Sequence, residues 1–264
     1  MPAPRTSPAR CMRTPPCPRR SRRRRSPSAS GRFTSEVPRR AQGMRARWRS
    51  VLVGCLALGA SVGQPASDDA TSHRSFADVE HWASVFDDPA RDAYQKPAEV
   101  VRALRIRPGM RVADVGAGTG YFSRYLSTAV GASGTVLSVD TEPELVRHLR
   151  ERAEKEKTDN VVPILASADN PRLPRGAVDL VLLVDTFHHL DHRVAYFGRL
   201  RRTLAPGGRV AVVDWQKRET PVGPELEHRL PREQVVEELR TAGYALVDEP
   251  DVLPYQYCLV FRPR

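Results

Sequence analysis

Apolar residues along this chain fall into dense runs between positions 112 and 184, with more widely spaced patterns on either side. The runs at 112–115, 135–139, 161–165 and 178–184 are rich in Val, Leu and Ile, and the last is apolar at almost every position, as in strands covered on both faces. Between them, 121–130 and 143–157 carry the spacing of helices, the second opening on Pro143. A further helix at 192–204 leads through a Pro206-Gly207-Gly208 turn into a strand at 209–214. Strands alternating with helices predict a parallel sheet. The C-terminal part departs from this: a helix at 231–243 with a Gly cap precedes strands at 244–248 and 255–261 with no helix between them, which makes those two antiparallel neighbours. Upstream, Phe76, Val79, Trp82 and Phe86 recur at three and four, so 76–104 reads as helical, split where Asp88-Pro89 supplies an N-cap and a first helical position.

The first dense run ends in Asp114-Val-Gly-Ala-Gly-Thr-Gly120. Glycines at 116, 118 and 120 let the backbone turn sharply and admit a ligand to contact distance, and the helix behind them begins with unpaired N–H groups. A dinucleotide fingerprint needs glycine at 121, where this chain has Tyr121, so the nicotinamide reading is lost. The second strand ends in Asp140, where a carboxylate can hold a ribose diol, and the third is followed by Ala166-Ser-Ala-Asp169. The fourth delivers Asp185, Thr186, Phe187, His188 and His189 at its carboxyl end, the edge where open α/β sheets bind ligands.

In this order, over about 97–264, these motifs resemble the class I S-adenosylmethionine-dependent methyltransferases, in particular the broad type 11 group acting on small molecules. The resemblance implies a Rossmann-like α/β fold: a seven-stranded sheet in the order 3-2-1-4-5-7-6, strand 7 antiparallel, helices on both faces and N-terminal helices above it. S-adenosyl-L-methionine is the implied cofactor. Asp114, Gly116, Ala117, Gly118 and Gly120 would hold its amino-acid part, Asp140 its ribose and Asp169 its adenine amino group, with Thr141 or Glu142 beside the adenosine and Asp185 also among the cofactor contacts. Tyr94, Gln95 and Lys96 are candidate lid residues, equally readable as a solvated helix face. His188 and His189 are the catalytic candidates, since a histidine near its ordinary pKa can take a proton from an acceptor hydroxyl, thiol or amine. The same pair also reads as one packing histidine and one cap or cofactor contact. No metal is expected.

Charge changes the picture only at the N-terminus. Of the net +11, residues 1–50 contribute +14 from 15 Arg and one Glu, which leaves the other 214 residues at −3. The Arg/Pro/Ser-rich stretch 1–43 cannot bury enough apolar surface to order itself and reads as a disordered tail, or as sequence upstream of a second start at Met44. From Met44, three arginines followed by the apolar run 51–63 and small residues to Ala66 have the layout of a signal peptide, too short to span a bilayer. That segment points to export or membrane association, whereas S-adenosylmethionine is made in the cytosol; Cys55 sits in a lipoprotein-box-like context. Residues 67–75 read as a linker and 76–264 as the methyltransferase domain, with 76–104 over a core from 105. The expected acceptor is a small molecule, since nothing in 76–264 suggests nucleic acid; a protein or lipid acceptor at the membrane and a non-catalytic binding module are the alternatives.

Overall fold

A computed structural model describes residues 69–71, 76 and 78–264. The expected tail 1–43 and the signal-like segment 44–66, with Cys55, lie outside the described residues. Seven strands form one sheet, β1 (Arg111–Val115), β2 (Thr135–Asp140), β3 (Val161–Leu165), β4 (Val178–Val184), β5 (Leu204–Trp215), β6 (Tyr244–Asp248) and β7 (Gln256–Pro263), in the order β3-β2-β1-β4-β5-β7-β6. The pairs among β1 to β5 are parallel, and β7 runs antiparallel between β5 and β6. Fold class and strand order are as the resemblance implies.

Period-two alternation along the strands builds two apolar layers. Ala113 and Val115, Val181 and Leu183, Val210 and Val212, Leu259 and Phe261 face one layer, completed by α6 (Arg193–Leu200) and α7 (Arg232–Thr241). Val112, Leu180 and Leu182, Ala211 and Val213, Cys258 and Val260 face the other, under α3 (Pro97–Ala103) and α4 (Tyr121–Val130). Helix α5 (Pro143–Glu156) packs Leu145, Val146 and Leu149 toward β2 and β3. Upstream of α3, α1 (Val79–Phe86), a single 3-10 turn at Pro89–Arg91 and α2 (Asp92–Gln95) form the expected broken helical segment; Asp88 caps the turn through Ala90 N–H at 2.9 Å.

One local expectation is corrected. Pro206-Gly207-Gly208 is not a turn ahead of a strand but part of β5, which starts at Leu204, so α6 ends at Leu200. The strand absorbs these residues because its register against β4 shifts between Val178 and Leu180; Gly207 takes φ +78°, and a Cβ at 208 would come 2.8 Å from the Val178 and Ala205 carbonyl oxygens. Residues 69–71, part of the expected linker 67–75, make hydrogen bonds to residues further along the chain. Thr71 N–H donates to the His188 carbonyl at 2.9 Å, Thr71 Oγ1 donates to the His228 carbonyl at 2.6 Å, and Ala70 N–H donates to Asp191 at 2.9 Å.

A buried ion pair joins α6 to α7: the fully buried Arg193 donates from Nε and Nη2 to the two Glu238 oxygens at 2.6 and 2.9 Å, and from Nη1 to the Leu190 carbonyl. Removing one partner of such a pair strands a charge in low dielectric. Arg193→Ala is therefore expected to lower unfolding free energy in urea by about 3–5 kcal/mol, while Arg193→Met combined with Glu238→Leu recovers most of it. A single-variant loss below about 1 kcal/mol contradicts this, being what an exposed pair would give.

Candidate functional site

The site forms where β1 and β4 end side by side and the chain leaves β1 in a glycine turn. Gly116 and Ala117 both donate backbone N–H to the Val139 carbonyl, at 2.8 and 3.0 Å, which lays the turn across the end of β2. Gly116 and Gly118 take φ values of +76° and +57°, and a Cβ at 116 would come 2.2 Å from Thr186 Oγ1. Only glycine fits there without displacing the first residue after Asp185. Gly120, left-handed at φ 89°, precedes α4 without a side-chain cap.

Acids stand around the turn, each in its own environment. Asp140 accepts from Gly118 N–H at 2.8 Å and Glu142 N–H at 3.1 Å; burial raises its pKa against these bonds. Asp114 is buried, accepts from Ser123 Oγ at 2.7 Å, and is pushed up to about 6 by burial and then by Asp140, although Ser123 opposes the shift. Ala166 N–H donates to the Asp140 carbonyl at 2.8 Å, bringing the end of β3 beside the turn. Beyond it, Asp169 is exposed in a tight turn with Ser167 Oγ at 2.9 Å, and Thr141 is exposed.

Above the turn lies the N-terminal segment, held by specific bonds. Phe86 would meet a Cβ on Gly118 at 3.3 Å and stacks on Trp82 at 5.2 Å between centroids; Phe76 stands edge-on to Trp82 and to His189, at 4.9 and 5.8 Å. Asp87 pairs with Arg152 at 2.8 Å and accepts from Thr119 Oγ1 at 3.1 Å, and Arg152 also donates to the Thr119 carbonyl. Arg91 donates to the Phe86 carbonyl at 2.6 Å and lies 4.6 Å over the Tyr121 ring, whose hydroxyl donates to Asp92. Of the lid candidates, Gln95 reaches into the site, Tyr94 packs near Trp215 and Tyr255 at 5.7 and 6.5 Å, and Lys96 is the left-handed joint between α2 and α3.

Asp185 and the histidines are bonded to distant elements. Asp185 is expected among the cofactor contacts, and the side-chain bonds to its carboxylate come from α2 and from β7: Gln95 Nε2 donates to Oδ2 and Gln256 Nε2 to Oδ1, both at 2.5 Å, with Arg91 at 3.6 Å. Its backbone is left-handed, φ 52°, which Asp tolerates better than most residues. Burial pushes its carboxyl to about 6 despite the Arg91 charge. His188 is buried, its Nδ1 within 2.9 and 3.0 Å of the two Asp214 oxygens and its backbone N–H on the same carboxylate at 3.2 Å. His189 is half-buried, its ring 4.1 Å from that of His188, while His192 turns away to Asp69 at 3.0 Å.

Reading the sequence missed Arg91, Asp87, Gln256 and the role of Asp214. Asp214 had a usable signal: it lies in β5 one residue past Val213, which pairs with Val184, so adjacency of β4 and β5 places it near the histidines. Gln256 had none, since it meets Asp185 across 71 residues.

Residues 112–208 match a protein-family model described as a methyltransferase domain. A ubiquinone/menaquinone biosynthesis C-methyltransferase UbiE from Burkholderia vietnamiensis is 30% identical over 120 residues, 46% of this chain and 49% of the relative, and the namesake from Ectopseudomonas mendocina is 30% identical over 118 residues, 44% and 46%. The chain thus spans about half the length of the curated relatives it matches. The crystal structure of a SAM-dependent methyltransferase from Aquifex aeolicus superposes with a TM-score of 0.66 at 29% identity, covering 69% of this chain and 96% of that one. A TehB-like SAM-dependent methyltransferase from Corynebacterium glutamicum shares the fold at a TM-score of 0.55 and 18% identity, covering 70% and 98%.

The buried His188–Asp214 pair sets a pH dependence. Burial alone would lower the His188 pKa, but the Asp214 charge and hydrogen bond, with the Asp185 charge, outweigh it and leave it raised. A raised folded-state pKa adds stability that is fully present below the unfolded value of about 6.5 and is lost as pH rises through the folded one. His188→Gln is expected to cost more stability at about pH 5.5 than at about pH 9 in urea titrations against the wild type; an equal or larger cost at the higher pH contradicts the pairing.

Proposed function

We propose that the chain, with a methyltransferase domain inside the class I fold, is a type 11-like S-adenosylmethionine-dependent methyltransferase that moves a methyl group from S-adenosylmethionine to a small-molecule acceptor. The observation that carries this reading is the glycine turn itself, wedged against Thr186 and bonded through Gly118 to an acid at the end of β2. S-adenosylmethionine is the cofactor the family implies, and the residues fit it: small residues where a Cβ would fill the cradle, a ring of acids for an amine and a diol, and an aromatic roof. When bound, it supplies a methyl group on a positively charged sulfur, a leaving group good enough for direct displacement.

The chain's own part is to hold, align and exclude water. Gly116, Ala117, Gly118 and Gly120 would bring their backbone against the amino-acid part, with Asp114 orienting it from below. Asp140 has both oxygens fixed by backbone N–H groups, which leaves lone pairs set for a ribose diol, and Thr141 and Asp169 would complete the adenosine contacts. Phe76, Trp82 and Phe86 keep solvent from the turn, and the Asp87–Arg152 bridge holds that roof down. Of the histidines, His189 would take the acceptor's proton, and His188, locked on Asp214, would position it by ring contact. The relatives' name, which places C-methylation in quinone biosynthesis, supports a small acceptor here.

Titration calorimetry on the full chain tests this reading. S-adenosylmethionine and S-adenosylhomocysteine are both expected to bind, and Asp140→Ala to weaken each by at least about ten-fold, about 1.4 kcal/mol, without unfolding the protein. Absence of binding to both at about millimolar concentration, an affinity near −4.1 kcal/mol, contradicts it.

A further inference from the structure

The end of the sheet opposite the glycine turn, where β1 and β4 begin and the antiparallel β7 ends, holds a second concavity. There β5 bulges: Leu204 pairs with Val178 and Arg209 with Leu180, so residues 205–208 stand opposite Asp179 alone. A Cβ on Gly207 would meet nothing within 4 Å, and a cavity of about 580 Å³ opens between the bulge, Asp179 and Met110. That volume lies within the about 300–1,000 Å³ usual for small-ligand sites. Four arginines line it, Arg105 and Arg107 from the chain after α3, Arg209 from β5 and Arg262 from β7. Arg105, Arg107 and Arg262 are exposed and Arg209 is half-buried, so a ligand can reach them. Arg209 is also held in place, its Nη2 donating to the Leu104 carbonyl at the end of α3. Acids do not balance the four: among the described residues Arg107, Arg209 and Arg262 form no ion pair, and Arg105 reaches Asp248 only at 3.8 Å. Asp179, the one carboxylate in the wall, accepts the Arg111 N–H at 2.8 Å. Burial, and then the charges of Arg262, Arg105 and Arg107, hold the Arg209 pKa below its ordinary value against the opposing charge of Asp248.

We propose that Arg105, Arg107, Arg209 and Arg262 form a binding site for a small diphosphate, at the far end of the sheet from the proposed methyl-transfer site. Guanidinium forks match phosphate oxygens two at a time, and like charges gathered on one cavity wall repel until an anion stands among them. Four cations from three segments span more than one phosphate group can meet, which favours a ligand with two. Asp179 opposes any anion, but the arginines outnumber it and Asp248 together. Met110 and Pro206 are the only apolar side chains in the lining, so affinity comes from the phosphates and not from the rest of the ligand. The inference does not depend on the methyltransferase reading.

Calorimetry of the full chain at about 0.1 M salt, titrated with inorganic pyrophosphate and with inorganic phosphate, tests the site. Pyrophosphate is expected to bind at least about ten-fold more tightly than phosphate, with or without S-adenosylhomocysteine present. Arg107→Gln combined with Arg262→Gln is expected to weaken it by at least about ten-fold. Binding that these substitutions leave unchanged overturns the site, and is what attachment to the arginines of residues 1–50 would give. Absence of pyrophosphate binding at about millimolar concentration, or no preference over phosphate, overturns it as well. So does displacement of pyrophosphate by S-adenosylhomocysteine, which would put the anion at the glycine turn. Phosphatidylglycerol vesicles that bind through Arg107 and Arg262 when pyrophosphate does not would overturn the soluble ligand in favour of a lipid headgroup. Phenylglyoxal labelling of the wild type, read by mass spectrometry, locates the anion without any variant. Pyrophosphate is expected to slow modification of Arg107 and Arg262 but not of Arg147, which pairs with Glu144 on α5; equal labelling at 107 and 262 with and without pyrophosphate overturns the site.

Discussion

The hydrogen bond from Gly118 N–H to the Asp140 carboxylate, with the Gly116 backbone pressed against Thr186, is the constraint on which the site depends. It ties the ends of three strands to one another: β1 supplies the turn, β2 the acid, and β4 the threonine that leaves no room for a Cβ at 116. Three adjacent parallel strands that end together leave a row of carbonyl ends and helix starts on one edge, and the turn makes that edge concave. The buried residues on both faces of β1 and β4 then serve a positional role, since a slip of one residue in β4 would move Thr186 and Asp185 together.

The N-terminal segment depends on the same turn. Thr119 and Arg152 hold Asp87, Tyr121 and Tyr125 hold Asp92, and Arg91 spans from the Phe86 carbonyl to Asp185. Asp87, Arg91 and Asp92 of this segment are charged, while the same segment carries the rings of Phe76, Trp82 and Phe86. The apolar rings supply cover and the polar bonds supply position.

Most of the frame was legible in the sequence because it depends on local composition. The Val/Leu runs marked β1 through β4 to within a residue, Pro143 marked the start of α5, and the missing helix between β6 and β7 required their antiparallel pairing. Pro206-Gly207-Gly208 was misleading, since those residues ordinarily end a strand and here lie in one only because the register against β4 shifts. In the site, Asp114, Asp140 and the glycines were legible because they lie within one or two residues of a strand end. The burial of His188 and the clamp on Asp185 were not, because each depends on a partner from a distant element: Asp214 at the end of β5, Gln95 in α2 and Gln256 at the start of β7.

The turn at 116–120 and the acid at 140 are the proposed place where the cofactor is held. Hydrogen-exchange mass spectrometry of the full chain with and without S-adenosylhomocysteine tests it most directly. Slowed exchange is expected in peptides covering 114–122 and 140–145 and in the lid at 86–95, with the β6–β7 hairpin beyond residue 258 unchanged. Binding that slows exchange elsewhere and leaves 114–122 and 140–145 as they were would contradict it.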